Sequence, residues 1–118
     1  MDSILTSVKK LLGIAESYTA FDADIIMHIN AVFLVLKQLG IGPAEGFCIA
    51  DESSTWDDFL PGDERAKTLA PYAAAKVRLA FDPPQSSTAM DALKSTIAEM
   101  EFRLNVEFDH AEEDTDEI

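Results

Sequence analysis

Few side chains in this sequence could act as acids or bases near neutral pH. The histidines are His28 and His110, and they lie in different parts of the chain. His28 falls within an otherwise apolar stretch, which is more typical of a partly exposed or hydrogen-bonded histidine than of a ligand. His110 lies among acidic residues, which do not by themselves make a site. The histidines therefore predict no catalytic centre.

Four carboxylates, Asp51, Glu52, Asp57 and Asp58, are close enough in sequence to suggest a site for a hard cation. The spacing lacks the glycine of a calcium-binding loop, so we interpret them as the solvated face of a loop. A small metal-dependent enzyme built on these carboxylates stays open as a rival hypothesis, although the sequence offers it no positioned base.

The single cysteine, Cys48, has no basic neighbour and no second cysteine in a CxxC motif. We expect it to be a small core residue in a reducing compartment, because one cysteine permits no internal disulfide. The nucleophile, zinc-protease, phosphate-loop and dinucleotide-binding motifs are also missing from the sequence. The sequence predicts that the protein is not an enzyme, with no catalytic, cofactor-binding or metal-binding residue and no cofactor.

The net charge of −13 is the most unusual bulk property of the 118-residue chain. Seven carboxylates and no Lys or Arg lie in residues 107–118, and removing them still leaves −6 on residues 1–106. A chain of this sign is not held to phosphates by counterion release, which argues against a nucleic-acid-binding module. The longest apolar run, Ala31–Leu36, is only six residues, so we expect no membrane span, and the residues at the N-terminus lead us to expect no signal peptide.

The strongest structural pattern is a pair of helices in residues 66–104, joined at Phe81–Pro84. Pro84 withholds a backbone donor, so the first helix must end near Asp82, and hydroxyls from Ser86 to Thr88 can cap the second. The pattern predicts an antiparallel hairpin with two buried stripes. The stripes are Leu69, Tyr72, Ala73, Lys76, Val77, Ala80 and Phe81, and then Met90, Leu93, Ile97, Met100 and Leu104.

Two further helices precede this hairpin. The first spans residues 3–12, with Asp2 or Ser3 as its cap and Gly13 at its end. The second spans residues 23–39 and is the most hydrophobic element, so we expect it at the centre of the bundle, packed against the hairpin. Its apolar residues are Ile25, Ile26, Ile29, Val32, Phe33, Leu36 and Leu39.

The middle of the chain is less regular. Phe47–Ile49 could be a short extended segment, and Trp56–Leu60 resembles one capped helical turn with its aromatic side chains inward. Pro71 requires the third long helix, predicted over residues 64–81, either to bend or to begin there. The fourth helix is predicted over residues 87–105. The fold class is thus all-α: a small bundle of about four helices over residues 1–106, followed by a flexible or partner-ordered acidic tail over residues 107–118.

Several weak motifs, in order, resemble the head–tail connector (head completion or adaptor) proteins of tailed bacteriophages and prophages. The likeness covers most of residues 4–106. It is carried by Lys9–Ile14, Asp24 with the apolar helix after it, Thr55–Leu60, Lys76–Pro84, Ser86–Ser87 and Glu101–Asn105.

This resemblance implies a structural subunit of a virion neck, assembled in the bacterial cytoplasm. Such connectors form a closed ring of about twelve subunits beneath the portal protein, each interface joining two different patches. The ring extends the channel and provides the surface on which the next neck or tail protein, a stopper-like protein, docks. DNA would pass through without specific binding, as the acidic charge favours. The alternative from another class is an acidic DNA-mimic inhibitor, which would carry its carboxylates along a folded surface.

Overall fold

The computed structural model describes the backbone of residues 3–116 and the side chains of residues 3–108. The described chain is helical, as predicted, and within it the one β-type contact is an isolated bridge between Ser3 and Thr55. The elements are α1 (Ile4–Leu12), α2 (Asp22–Gln38), α3 (Trp56–Phe59), a 3-10 helix (Glu64–Thr68), α4 (Leu69–Phe81) and α5 (Ser87–Asp116).

Helix α4 occupies the centre of the bundle and packs against α1, α2, α5 and the 3-10 helix. Three of its buried residues are alanines, Ala70, Ala73 and Ala74. Small side chains let several helices approach one axis closely, which is why α4 can take so many neighbours. The expectation that α2 lies at the centre is therefore wrong: α2 packs on α4 and α1, with one face on the core.

Helix α1 is fixed at both ends as its sequence predicts. The Ser3 hydroxyl accepts the Thr6 amide at its start, and Gly13 ends it in the left-handed conformation at φ 81°. Its middle is tied to α3, because the Trp56 indole N–H donates to the Ser7 hydroxyl at 2.9 Å. The bond between Trp56 and Ser7 thus holds the middle of α1 against α3.

A fully buried lysine closes the gap between α1 and α2. Lys9 Nζ donates to the carbonyl oxygens of Glu16 (3.1 Å) and Tyr18 (2.8 Å). It also lies 2.8 Å from Asp22 Oδ1, as an ion pair without the directional geometry of a hydrogen bond. A buried ammonium is tolerated only where such partners replace water. Lys9 therefore fixes the path of the loop between α1 and α2.

The segment between α2 and α3 has no strand, but it is held in place by side chains. Asn30 on α2 bonds both backbone groups of Ile49. Gly42, at φ 94°, lies against the Phe59 ring so closely that a Cβ there would collide with it. The predicted helical turn is confirmed as α3, with Thr55 and Asp58 forming a capping box and both aromatic residues buried.

Pro71 lies in the first turn of α4, where the missing N–H costs little because the first amides of a helix have no intrahelical partner. The chain before it forms the 3-10 helix, so the stretch predicted as one helix over residues 64–81 consists of two helices of different type. Of the two outcomes that Pro71 allowed, the structure shows that the α-helix begins there.

The hairpin of α4 and α5 is present, and Ser86 caps α5 by accepting the Ala89 amide at 3.0 Å. Ile97 is buried, as are Phe33 and Val77, in the same core. Helix α5 continues to Asp116, so its predicted end at Asn105 is wrong. Residues 105–116 contain no proline or glycine, and a helix that is already nucleated by packing extends at little cost.

Candidate interaction surface

Three of the four loop carboxylates that could have formed a cation site accept hydrogen bonds from backbone amides instead. Asp51 Oδ1 accepts hydrogen bonds from the amide and the hydroxyl of Ser53. These bonds favour the charged form and lower the pKa of the Asp51 carboxyl below its usual range. Glu52, its neighbour, is exposed. Asp51 thus shapes a turn.

The other two carboxylates of this loop have separate partners. Asp57 Oδ1 accepts from the Gly62 amide at 3.0 Å, and Asp58 Oδ2 accepts from the Thr55 amide at 2.9 Å. In residues 3–108, no three His, Cys, Asp or Glu side chains are grouped so that they could hold one metal ion. Each carboxylate has a local structural role.

His28 is half-buried, with its ring edge-on to Phe81 at 6.2 Å between centroids, which agrees with the interpretation as a partly exposed histidine. Cys48 is exposed, so the expectation of a core cysteine is wrong. Its neighbours Phe47 and Ile49 turn inward, and an extended segment alternates its side chains, which leaves Cys48 outside. His110 lies outside the residues whose side chains are described.

Helix α2 is apolar on two opposite sides. One side is buried in the core and the other carries Met27, Ala31 and Leu34, which we name the outer stripe of α2. Met27 is 60% exposed and Leu34 is 58% exposed. A helix that is hydrophobic all round is typical of an element buried on both sides. The fold covers only one side of α2.

Helix α5 also carries exposed apolar residues away from its core face. Ala98, Phe102 and Val106, four residues apart, form what we name the outer stripe of α5, and Phe102 is 68% exposed. Since α2 and α5 both pack on α4, the two outer stripes lie on different helices of the bundle. The molecule therefore presents two distinct apolar surfaces.

A groove of about 250 Å³ between α2 and α4 adjoins the outer stripe of α2. Its lining residues are mostly apolar and include the cation Lys76. The lining residues are His28, Ala31, Val32, Val35, Lys76, Leu79 and Ala80. Such a groove beside an exposed apolar stripe could accept a large side chain from a partner.

Arg65 of the 3-10 helix binds α5 beyond its hairpin partner α4, at Glu107 and Phe108. The Arg65 guanidinium bonds Asp63 at 2.8 Å and the Glu107 carbonyl oxygen at 3.1 Å, and it lies 4.2 Å from the centre of the Phe108 ring. The paired carboxylates raise the pKa of Arg65, and the guanidinium and the Arg65 amide lower the pKa of Asp63. The start of the acidic segment is thus attached to the bundle.

The sequence model of the phage connector protein family matches residues 4–111, nearly the whole chain. The chain belongs to the phage connector protein family. This finding confirms the resemblance to head–tail connectors, and the family is a structural one. Comparison with curated proteins and with solved structures found no match.

The residues that carried the resemblance have structural roles in the connector fold. The stretch Thr55–Leu60 forms the capped turn that buries Trp56 and Phe59, and Lys76–Pro84 ends the central helix and begins the hairpin turn. None of the helices described over residues 3–116 is long and apolar enough to cross a membrane. In the part of the chain that the structure describes, the exposed features that could contact another protein are the two outer stripes and the α2–α4 groove.

The apolar pattern of the sequence underestimates these surfaces. Met27 and Leu34 were not among the apolar residues assigned to the buried face of this helix, and no surface was predicted from them. Phe102 was noted only within the motif Glu101–Asn105. The signal that could have found them is the angular spread of apolar residues around α2, which exceeds what one core face needs. The sequence can thus indicate that α2 has a second apolar face, and the fold then shows which of the two faces is buried.

Proposed function

We propose that this connector is a head–tail adaptor subunit that forms a ring beneath the portal, extends the DNA channel and docks a neck or tail protein. The observation that carries the proposal is the family match over residues 4–111, because it spans the whole described bundle and not one motif. The outer stripes give the proposal its physical basis.

A closed ring requires a heterologous interface, in which one patch of each subunit fits a different patch of its neighbour. The outer stripe of α2 and the outer stripe of α5 are two such patches on one chain. A twofold dimer would need only one self-complementary patch. Two unlike apolar surfaces therefore support a ring, which we propose contains about twelve subunits.

The charge of the chain suits a wall along which DNA moves. With a net charge of −13, the subunit does not gain affinity for phosphates by releasing counterions. A ring of such subunits repels DNA at short range, over a Debye length of about 8 Å at physiological salt. DNA would thus pass without specific binding.

We further propose that residues 1–106 form the connector domain and that residues 107–118, which include the last part of α5, act as an assembly arm whose position a portal or a neighbouring subunit fixes. Glu107 and Phe108, held by Arg65, would attach this arm to the domain. The seven carboxylates of the arm fit a basic surface on the partner. The subunit would assemble in the host bacterial cytoplasm and remain in the virion neck.

Size-exclusion chromatography with light scattering tests the proposal, using the full chain alone and mixed with the portal ring of the same phage. A ring-sized species in either sample is the expected result. A species that stays monomeric or dimeric in both samples would refute the ring and would favour the DNA-mimic alternative. Competition with DNA for a nuclease or repressor would then test that alternative directly.

A further inference from the structure

We propose that α5 of one subunit packs parallel to α2 of the next, with the outer stripe of each helix against the other. The partner is a second copy of this chain, so the inference rests on the proposed function and specifies its subunit contact. Both stripes lie opposite the core face of their own helix, so neither must leave the bundle to make this contact.

Side-chain sizes on the two stripes are complementary in one register. When Phe102 lies opposite Ala31, Ala98 lies opposite Met27, so that two large side chains face two small ones, and Leu34 lies beside Val106 at the end of the stripes. Large side chains fitting beside small ones are the basis of dense helix packing. The α2–α4 groove, about 250 Å³ and lined by Ala31, is where the Phe102 ring would insert.

The charges beside the two stripes agree with this register and fix the direction. Asp24 lies about one helical turn before Met27 on α2, and Lys94 lies about one turn before Ala98 on α5. In a parallel pair, Asp24 therefore lies near Lys94. An antiparallel pair would place Lys94 near Lys37 of α2 instead, and that contact would be repulsive.

These three charged side chains are available for such a contact. Asp24, Lys37 and Lys94 are exposed, and none forms a salt bridge within residues 3–108. A second copy of the chain thus offers both the apolar and the charged complement of α2.

Cross-linking between two single-cysteine variants tests the contact. Ala31→Cys and Ala98→Cys, each made together with Cys48→Ser, keep the large stripe residues, and their sulfurs would lie within reach of a short bismaleimide. The two variants are mixed under the conditions in which the unmodified chain assembles, or at high concentration. The matched control replaces Ala31→Cys with Glu52→Cys, at an exposed position on the loop.

The expected result is a heterodimer that forms from the mixture at roughly ten times the yield of the control pair, because only the mixture holds both halves of one interface. Yield equal to the control would overturn the inference. Cross-linking of either variant with itself at the same yield would also overturn it, since the contact would then be self-complementary.

A charge exchange tests the direction of the helices. Asp24→Lys or Lys94→Glu alone should weaken self-association roughly tenfold, and the two together should restore it. Asp91→Lys, which changes the net charge by the same amount at another exposed carboxylate of α5, is the control and should leave association within about twofold. A double variant as weak as the singles would overturn the parallel register.

The inference and the proposed function fail in different ways. If ring-sized species form but the 31–98 product does not exceed its control, the proposed contact is wrong and the ring remains. If no ring-sized species forms with or without the portal, the proposed function is wrong, and the cross-link in concentrated protein still reports whether the two stripes meet.

Discussion

The Asn30 carboxamide makes both hydrogen bonds of a sheet rung with Ile49. Its Nδ2 donates to the Ile49 carbonyl oxygen at 3.0 Å, and its Oδ1 accepts from the Ile49 amide at 2.8 Å. This single side chain supplies the hydrogen-bond partners of the Ile49 backbone, in a segment that has no neighbouring strand, and it holds Ile49 in the core.

Replacing Asn30 with Ala should lower the free energy of unfolding by about 1–3 kcal/mol, because the Ile49 amide and carbonyl would both lose their partners. Urea denaturation followed by circular dichroism measures the change. Asn105→Ala, at an exposed site of α5, is the control and should stay within about 0.5 kcal/mol. Equal effects at the two positions would show that the rung is not needed.

The core residues Phe33 and Ile97 lie on different helices but in one buried cluster. Replacing either with Ala should cost about 2–5 kcal/mol of unfolding free energy, since each deletion leaves a cavity. Phe102→Ala, which removes a ring that is 68% exposed, is the matched control and should scarcely change the stability of the monomer. Changes below half a kcal/mol at both core positions would refute the assignment of the core face.

Pro83 and Pro84 separate α4 from α5 without belonging to either helix. Changing both to Ala should lower stability by about 0.4–1 kcal/mol per site, because proline restricts the unfolded chain more than the folded turn. Thermal melts of each variant report this loss. Unchanged stability together with lost assembly would instead place the two prolines at a subunit interface.

The contribution of Asp63 to stability should depend on pH. The pKa of this carboxyl is lowered by the Arg65 side chain first and the Arg65 amide second, so the folded state favours the charged form. Its stabilising effect is present above the unfolded pKa, near 3.8, and is lost as the pH falls through the lower folded value. Wild-type protein should therefore melt higher than Asp63→Asn at pH 7, and the gap should shrink below about pH 4.

That pH comparison uses a difference between two chains because acidification also removes repulsion among the other carboxylates. Asp91→Asn, at an exposed position in α5, provides the control for a lost charge without a cap. A gap that stays constant from pH 7 to pH 3 would show that the Asp63–Arg65 contact does not stabilise the fold.

Truncation distinguishes the assembly arm from the bundle. A chain that ends after Phe108 should keep its melting temperature, whereas one that ends after Val106 loses the contacts of Arg65 with Glu107 and Phe108, at about 0.5–2 kcal/mol. Both should stay folded and lose affinity for the portal ring. Unfolding of the shorter chain would show that residues 107–118 belong to the core. Normal assembly by both chains would show that the arm has no part in docking.

Local chemistry explains which parts of this fold could be predicted from sequence. Thr55 and Asp58 form a capping box that is readable from two positions, and Gly13 ends α1 because few other residues tolerate its backbone conformation. Contacts between distant segments were not readable. The burial of Lys9 is an example, since its carbonyl partners lie in a loop without a distinctive sequence.

Hydrophobicity alone also gave the wrong centre for the bundle. Helix α2 has the larger apolar side chains, but Met27 and Leu34 face outward, whereas the alanines of α4 let three long helices meet around it. The candidate surfaces could not be recognised before the core was known, because an apolar residue on a helix gives no sign of which partner covers it. Cys48 was misplaced for another reason, because its neighbours Phe47 and Ile49 occupy the inward positions of an irregular segment.

The burial of Lys9 has a use in chemical labelling. The sequence contains six lysines, and Lys9 is the one whose amine is enclosed; Lys10, Lys37, Lys67 and Lys94 are exposed and Lys76 is half-exposed. An amine-acylating reagent should therefore modify Lys9 last, and only when the loop of residues 13–21 opens. Mass spectrometry of a labelling time course would then follow the opening of this one joint, in free subunits and in assembled particles alike.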